Sequence, residues 1–558
     1  MNNAVNPSKS AWWKPGEILP RSGNQEIHQA LLQLDSAFCL INDGHSIRLG
    51  RNGGIRLEGA ARENFEYPLL AYAPAFLPEH LGNSAFCRAY GLRYPYIAGA
   101  MANGITSVAM VKAMAHAGMM GFFGAAGLGL ETVEQTIEDL QRDLKNLPFG
   151  INLIHSPGDP AHESAVVDLF LRKRIRHISA SAYLDLSLPL VYYRVKGIRR
   201  DPQTGSAACD HHIFAKVSRV EVAEKFFSPP PKKFLDRLIE QGLITREQAD
   251  LSASVPMANV LTAEADSGGH TDNRPAISLF PTMLALRDEM VRRHGYDRPI
   301  WIGLAGGIST PAATAAAFAM GAAYVVTGSV NQACIEAGTS ETVRRMLAET
   351  RQADVIMAPS ADMFEMGVKV QVLKRGTLFA LRAARLYELF TRYERYEDIP
   401  EKQRQILERD FFRKSFQEAW EQTRAFFARR DPRQIALGEK DSKHKMALVF
   451  RSYLGQSSMW AIQGEPSRKM DYQIWCGPSL GAFNQWVKGS FLEDPDHRDV
   501  TTVAMNLLVG ACVAARAGWI RSQGVALPES AGRFAPMTLS DINTLLANQR
   551  ITDDHSNL

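Results

Sequence analysis

From residue 94 onward, short apolar runs alternate with stretches of helical period. The runs are Tyr96 to Met101, Met119 to Gly124, Pro148 to Ile154, Arg176 to Ser181, His212 to Val217, Asn259 to Ala265, Pro299 to Leu304 and Ala322 to Thr327. Each is too short for a helix and is closed by small or turn-forming residues, which predicts strands. Helices are predicted between them at Ser107 to Ala117, Glu131 to Leu144, Val166 to Arg174, Ile277 to Arg293 and Pro311 to Met320. Glu131 to Leu144 is amphipathic with an acid in its first turn, as the helix dipole favours. Behind the break Pro229-Pro230-Pro231, Lys232 to Asp250 inserts two short helices. Eight strand-then-helix units predict an α/β fold, a closed (β/α)8 TIM barrel. The alternative, a doubly wound open sheet, wants a GxGxxG turn after its first strand. Ala98-Gly99-Ala100-Met101 stands there instead.

The flanks have other patterns. Before residue 90, Phe38 to Asn42 and Ile55 to Leu57 are short strand candidates beside the turns Asn42-Asp43-Gly44 and Asn52-Gly53-Gly54, which predicts a small β-containing region. After Gly367 the composition shifts to long helices rich in Arg, Glu and Phe, and Trp475 to Trp486 is rich in Gly and aromatics. The expected division is an N-terminal region over 1–90, a barrel over 91–369 with a helical insert near 226–256, and a mostly helical C-terminal extension over 370–558.

Composition narrows the function classes. A 46% hydrophobic, 22% charged chain of 558 residues has ordinary globular make-up. A net charge of +4 with no basic block argues against nucleic acid. Cys39, Cys87, Cys209, Cys334, Cys476 and Cys512 are scattered without a CxxC pair, which fits a reducing cytosol and gives no disulfide framework and no metal site. Met1 to Pro20 has no apolar core of a signal peptide. Thr310 to Thr327 is broken by Gly321, and Val503 to Trp519 carries Asn506 and Arg516, so neither reads as a membrane span. A soluble, cytoplasmic chain is expected.

In a barrel, ligand-binding and catalytic groups come from the C-terminal ends of strands. Here the sixth, seventh and eighth strands end in Ser267-Gly268-Gly269, Ala305-Gly306-Gly307 and Gly328-Ser329. Glycine lets backbone N–H groups approach phosphate oxygens, and three such turns together predict a phosphate-bearing ligand. His270 directly follows the first of them, where an imidazole can donate a proton or polarise a carbonyl near neutral pH. Rival motifs are weaker. Gly44-His45-Ser46 lacks the second glycine of an acyltransferase elbow, and Leu34-Asp35-Ser36 lacks the flanks of a phosphopantetheine site. Gly477-Pro478-Ser479-Leu480-Gly481 fits the GxSxG of a hydrolase, but no later strands remain to carry its acid and histidine. Cys334, the one cysteine soon after a phosphate turn, would be the nucleophile of an inosine-monophosphate-type dehydrogenase, yet its helical context reads as core.

The set Pro95 to Met101, Pro148-Phe149-Gly150-Ile151-Asn152, Glu264 to His270, Ala305-Gly306-Gly307-Ile308 and Gly328-Ser329 resembles the FMN-dependent nitronate monooxygenase and enoyl reductase superfamily over about residues 94–335. Trp12 to Gly16, Leu40-Ile41-Asn42, Lys445-Met446-Ala447 through Tyr453-Leu454-Gly455 and Trp475-Cys476-Gly477-Pro478 resemble one branch, the trans-acting enoyl reductases of polyunsaturated fatty acid and polyketide synthases. The resemblance implies FMN, NADPH as hydride donor, and an enoyl thioester on the acyl carrier protein of a separate synthase chain. It implies that Ala98, Gly99, Ala100 and Met101 lie along the flavin ring, Asn152 bonds its edge, and Lys216 reaches the ring or ribityl chain. Asp266, Ser267, Gly268, Gly269, Ala305, Gly306, Gly307, Gly328 and Ser329 would hold the cofactor at its phosphate end, with His270 as the active-site histidine. Relatives commonly show Gly-Thr-Arg where Gly328-Ser329-Val330 stands, so the arginine is missing here. The same histidine would serve a nitronate monooxygenase, and a non-catalytic scaffold subunit is the further alternative. A homodimer is compatible with these readings. The insert and the C-terminal helices are the candidate surfaces for the carrier.

Overall fold

The computed structural model describes residues 11–16, 18–57, 67–156 and 159–553. Residues 1–10 and 17, most of the stretch expected to hold no signal peptide, lie outside them. The chain divides into two compact units, one of Met1–Pro95, Ser309–Val325 and Thr501–Leu558, the other of Tyr96–Ile308 and Val326–Val500.

The first unit holds a six-stranded sheet in the order Arg21–Ser22, Ile47–Gly50, Phe38–Asn42, Tyr67–Ala73, Trp12–Lys14, Gly54–Arg56, its paired strands antiparallel. Trp13 is its anchor: the indole is 1% exposed, and a Cβ on Gly50 would come within 2.9 Å of it. Helix Val500–Ser522 is long and apolar enough to cross a bilayer, yet 78% of its apolar window is buried inside the protein. From Thr501 on it belongs to this unit, where Asn506 donates to the Met537 carbonyl at 2.8 Å and Arg516 to the carbonyls of Gln33 and Ser36 at 2.6 Å each. Such bonds let a buried guanidinium remain in an apolar helix.

The eight barrel strands are numbered β1 (Tyr96–Ala98), β2 (Met120–Phe123), β3 (Gly150–Ile154), β4 (His177–Ser181), β5 (His212–Val217), β6 (Val260–Glu264), β7 (Trp301–Ala305) and β8 (Val325–Thr327). Their order around the closed barrel is their order in the chain, the TIM topology expected. The seam between β8 and β1 is carried by Gly99, whose N–H donates to the Thr327 carbonyl at 2.9 Å. Helix Leu130–Leu144 buries Val133, Ile137, Leu140 and Leu144, a stripe at three- and four-residue spacing. The insert forms helices Lys232–Glu240 and Arg246–Ser252, the second opened by a capping box between Thr245 and Gln248. At the N-terminal ends of the strands, fully buried Arg194 donates to the carbonyls of Pro256 and His211 at 2.9 and 2.7 Å.

Two sheets have no counterpart among the elements predicted from sequence, the small antiparallel pair Ile198–Arg200 and Ala207–Cys209 and a three-stranded one. Gly269–His270, Lys369–Leu373 and Val355–Pro359 form an antiparallel sheet with Lys369–Leu373 in the middle. Val355–Pro359 is uniformly apolar and ends in proline, so it offers no alternation to read. Helices Phe379–Arg392 and Ser442–Gln463 then pack on a core that includes Phe364, Leu386, Phe412, Phe450 and Tyr453. Fully buried Asp471 ties this cluster, accepting from the Tyr453 hydroxyl at 2.6 Å and from Arg468 at 3.2 Å, with Arg382 as its third partner.

Candidate active site

The strand ends expected to bear the chemistry are linked by a run of contacts. At β1, the Thr106 hydroxyl donates to the Gly99 carbonyl at 2.7 Å and accepts the Met101 N–H at 2.9 Å, which fixes the turn Ala98 to Met101. A Cβ on Gly99 would lie 2.8 Å from Val326 Cγ1, so glycine is a packing requirement there. On β3, buried Asn152 donates through Nδ2 to the Ser179 carbonyl at 3.0 Å and the Ser181 hydroxyl at 3.1 Å. Its amide nitrogen is thereby committed, and Oδ1 is the atom it can offer a ligand.

Lys216 on β5 forms an ion pair of 2.9 Å with Glu264 at the end of β6. The Ser267 hydroxyl donates to the same carboxylate at 3.1 Å. In the turn that follows, Asp266 accepts from Gln371 and Asn273 at 2.8 Å each, and Gln371 also donates to the Ser267 carbonyl at 2.7 Å. Gln371 is 5% exposed and acts as the fastener of this turn. Farther along, Asp272 accepts from Arg219 at 2.8 Å and from the Ser218 hydroxyl at 2.5 Å. These bonds, the Arg219 one foremost, hold the Asp272 carboxyl down at about 2.

The glycines divide into two kinds. A Cβ on Gly268 would lie 2.8 to 2.9 Å from the backbone of Cys476, and one on Gly306 would lie 2.6 Å from the carbonyl carbon of Ala265. Both are filled by protein. Gly307 and Gly328 have no atom within 4 Å of where a Cβ would stand, and Gly307 has φ +83°. Between them in character is Gly269, φ +78°, with Trp475 3.9 Å away. Ser329 Oγ accepts the Gly477 N–H at 3.0 Å and keeps its own O–H to donate. Ala305 accepts from the Ala265 N–H at 2.8 Å, which brings the β6 and β7 ends together.

His270 pairs with Val370 across the small sheet, and its ring Nε2 lies 2.9 Å from Asp362 Oδ2. The imidazole is 31% and the carboxylate 50% exposed. Partial burial alone would raise the Asp362 carboxyl, but the bond and charge of His270 outweigh it and hold the carboxyl below its ordinary value. Sequence reasoning missed Asp362 and Gln371, because they come from a hairpin 92 and 105 residues beyond their partners. It also missed a group beyond β3 and β4. The His155 ring stacks on Tyr183 at 4.9 Å, and the Tyr183 hydroxyl donates to buried Glu163 at 2.9 Å. Burial together with the Glu163 charge pushes the Tyr183 phenol well up.

The rival motifs resolve as structure. Gly477 packs on Ser267 and Gly268, Gly481 packs on the backbone of Arg351 and Gln352, and Ser479 opens helix Ser479–Val487. Cys334 is fully buried, its thiol pushed up by burial, as expected of a core residue. Ser46 lies in a turn capped by Asp43, and Ser36 donates to Asp35 at 3.0 Å.

The nitronate monooxygenase family matches residues 84–391, and the inserted helical domain of acyl-carrier-protein S-malonyltransferase matches residues 393–472. Polyketide biosynthesis protein PksE of Bacillus subtilis (strain 168) is 44% identical over 436 residues, which cover 78% of this chain and 56% of that protein. A polyunsaturated fatty acid synthase polypeptide of Thraustochytrium sp. is 43% identical over 450 residues, 79% of this chain and 30% of that protein. The chain thus spans about half of the one relative and under a third of the other. Among solved structures, the enoyl reductase domain of MlnA, from the macrolactin biosynthesis cluster of Bacillus amyloliquefaciens, is 40% identical with a TM-score of 0.75. The match covers 80% of this chain and 99% of that domain.

Proposed function

This chain belongs to the nitronate monooxygenase family, and from that premise we propose that it is an FMN-dependent enoyl reductase. Its substrate in this reading is an enoyl thioester carried on the acyl carrier protein of a separate synthase chain, and NADPH is the hydride source. The observation that carries the reading is His270, held on a strand just beyond β6 and paired with Asp362, in a chain that matches an enoyl reductase domain over 99% of that domain's length.

The residues fit a flavin mononucleotide. Gly307 and Gly328, at the ends of the two strands whose loops hold phosphate in this architecture, have open space where a Cβ would stand. We assign the phosphate to their N–H groups with the Ser329 O–H beside them, and the ring edge to Asn152 Oδ1. The chemistry such a flavin supplies is acceptance of a hydride from NADPH and its delivery to the substrate β-carbon. The chain's own part is different. His270 donates a proton to the α-carbon or holds the thioester carbonyl, and Lys216 and Glu264 set a neutral ion pair across the ends of β5 and β6. In the second reading the same imidazole removes the α-proton of a nitroalkane to give the nitronate, which the family match favours on its own.

The test is the visible spectrum of the purified protein. Flavin absorbance that bleaches with NADPH and returns anaerobically on adding an enoyl thioester is the expected result. Indifference to NADPH with oxygen consumption on a nitronate would establish the second reading. A colourless protein that takes up no FMN would remove both and leave a scaffold role.

A further inference from the structure

Resting on the reductase reading for its substrate, we infer that Asp362 is a positioning residue that fixes the tautomer and aim of His270, and that the helical cluster holds Asp362 in place.

The argument starts from hydrogen-bond inventory. An ionised carboxylate can only accept, so the 2.9 Å contact requires the proton on His270 Nε2. Nδ1 is then the nitrogen left for the substrate, as lone pair or, when the ring is charged, as N–H. A neutral imidazole without this partner divides itself between two tautomers and rotates about its χ angles. The carboxylate selects one tautomer and one aim.

The geometry gives the carboxylate the rigidity this task needs. Asp362 sits in the loop between Val355–Pro359 and Lys369–Leu373, and the central strand of that hairpin is the one that pairs with His270. Both members of the pair are therefore mounted on one small sheet. The loop is closed by the Ser360 N–H donating to the Val368 carbonyl at 2.9 Å. It is anchored from behind by Phe364, fully buried, with Phe390 and Tyr387 rings at 5.2 and 5.5 Å. Arg451, on helix Ser442–Gln463, donates to the Ala361 carbonyl at 2.9 Å and pairs with Glu365 at 3.0 Å. The residue before Asp362 is thus clamped by the helical cluster, which gives that cluster a route to the catalytic histidine.

The experiment uses FMN-loaded full-length protein, as wild type, Asp362→Asn, Asp362→Glu, His270→Gln and the double variant Asp362→Asn/His270→Gln. Nitrogen NMR of 15N-histidine-labelled protein, with the His270 signal assigned by its loss in His270→Gln, reads the tautomer directly. Nε2–H is expected in wild type and a mixture in Asp362→Asn. Stopped-flow reduction by NADPH is expected to stay within about twofold in every variant, since His270 has no part in that step. Anaerobic reoxidation by crotonyl-pantetheine is expected to slow about tenfold in Asp362→Asn, with a smaller change in KM than in kcat. His270→Gln should slow it about a hundredfold or more. Asp362→Glu should recover most of the loss, and the double variant should be no slower than His270→Gln alone. An unchanged His270 tautomer in Asp362→Asn, or losses that add in the double variant, would overturn the positioning role. Wild-type protein that crotonyl-pantetheine does not reoxidise, with a tautomer that still depends on Asp362, would refute the reductase reading and leave the pairing standing.

Discussion

Two adjacent glycines at the end of β7 serve opposite purposes. Gly306 presses against the Ala265 and Asp266 backbone, whereas Gly307 faces open space. The same split separates the turn after β6, where Gly268 is pressed on Cys476, from the turn after β8, where Gly328 is open. In sequence the turns look alike, and all of them point to a phosphate. In space one kind is demanded by protein packing and the other has open space where a side chain would begin. A Gly-Gly pair at a strand end is therefore two different statements, and only the second is about a ligand.

Substitution by alanine separates them most sharply on the packed side. Gly306→Ala is expected to cost about 3 kcal/mol, because it joins a left-handed φ of +81° to a Cβ within 2.6 Å of backbone that has no rotamer to yield. Gly268→Ala should cost about 2 kcal/mol from overpacking on the Cys476 backbone alone. Chemical denaturation, with protein tested both with and without added FMN, measures each. A loss under 0.5 kcal/mol for both, on the order of an ordinary surface change, would erase the distinction.

On the open side the expected loss moves from stability to ligand. Gly328→Ala has a φ of −131° and free space around it, so it should leave stability within about 0.5 kcal/mol while weakening FMN about tenfold. Gly307→Ala should show the same weakening plus about 1 kcal/mol of strain from its positive φ. Fluorescence titration of apoprotein with FMN checks both. Wild-type affinity in Gly328→Ala would mean that the phosphate lies elsewhere.

The contrast also explains what could be read from the chain. All eight barrel strands were legible, and His212–Val217 matches its expected span at both ends, because buried parallel strands are apolar runs punctuated by small residues. The insert helices were legible behind the break at Pro229 to Pro231. The hairpin that carries Asp362 and Gln371 was not. Its second strand, Lys369–Leu373, runs across the boundary expected between residues 369 and 370, and its value lies in register with Gly269–His270. Register between strands a hundred residues apart leaves no periodicity to find. Glycine turns were visible as residue types, but which of them faced Cys476 was decided by a segment two hundred residues later.

The smallest effect concerns the outer tether of the β6 turn. Asp272 is held by Arg219 and Ser218, with its folded value near 2 against 3.8 for the free group. A carboxyl whose folded value is depressed adds stability that is complete above its unfolded value and is lost as pH falls toward the folded one. Asp272 should thus contribute a constant amount from neutrality down to about pH 4 and nothing below about pH 2. Screening at this partly exposed pair limits that amount to about 1 kcal/mol. Comparing Asp272→Asn with wild type by urea denaturation between pH 7 and pH 3 tests the sign: the gap should narrow only at the acidic end. A gap that widens on acidification, or one larger than that of Gly268→Ala at neutral pH, would mean that the turn is held by charge rather than by the close approach of Gly268 to Cys476.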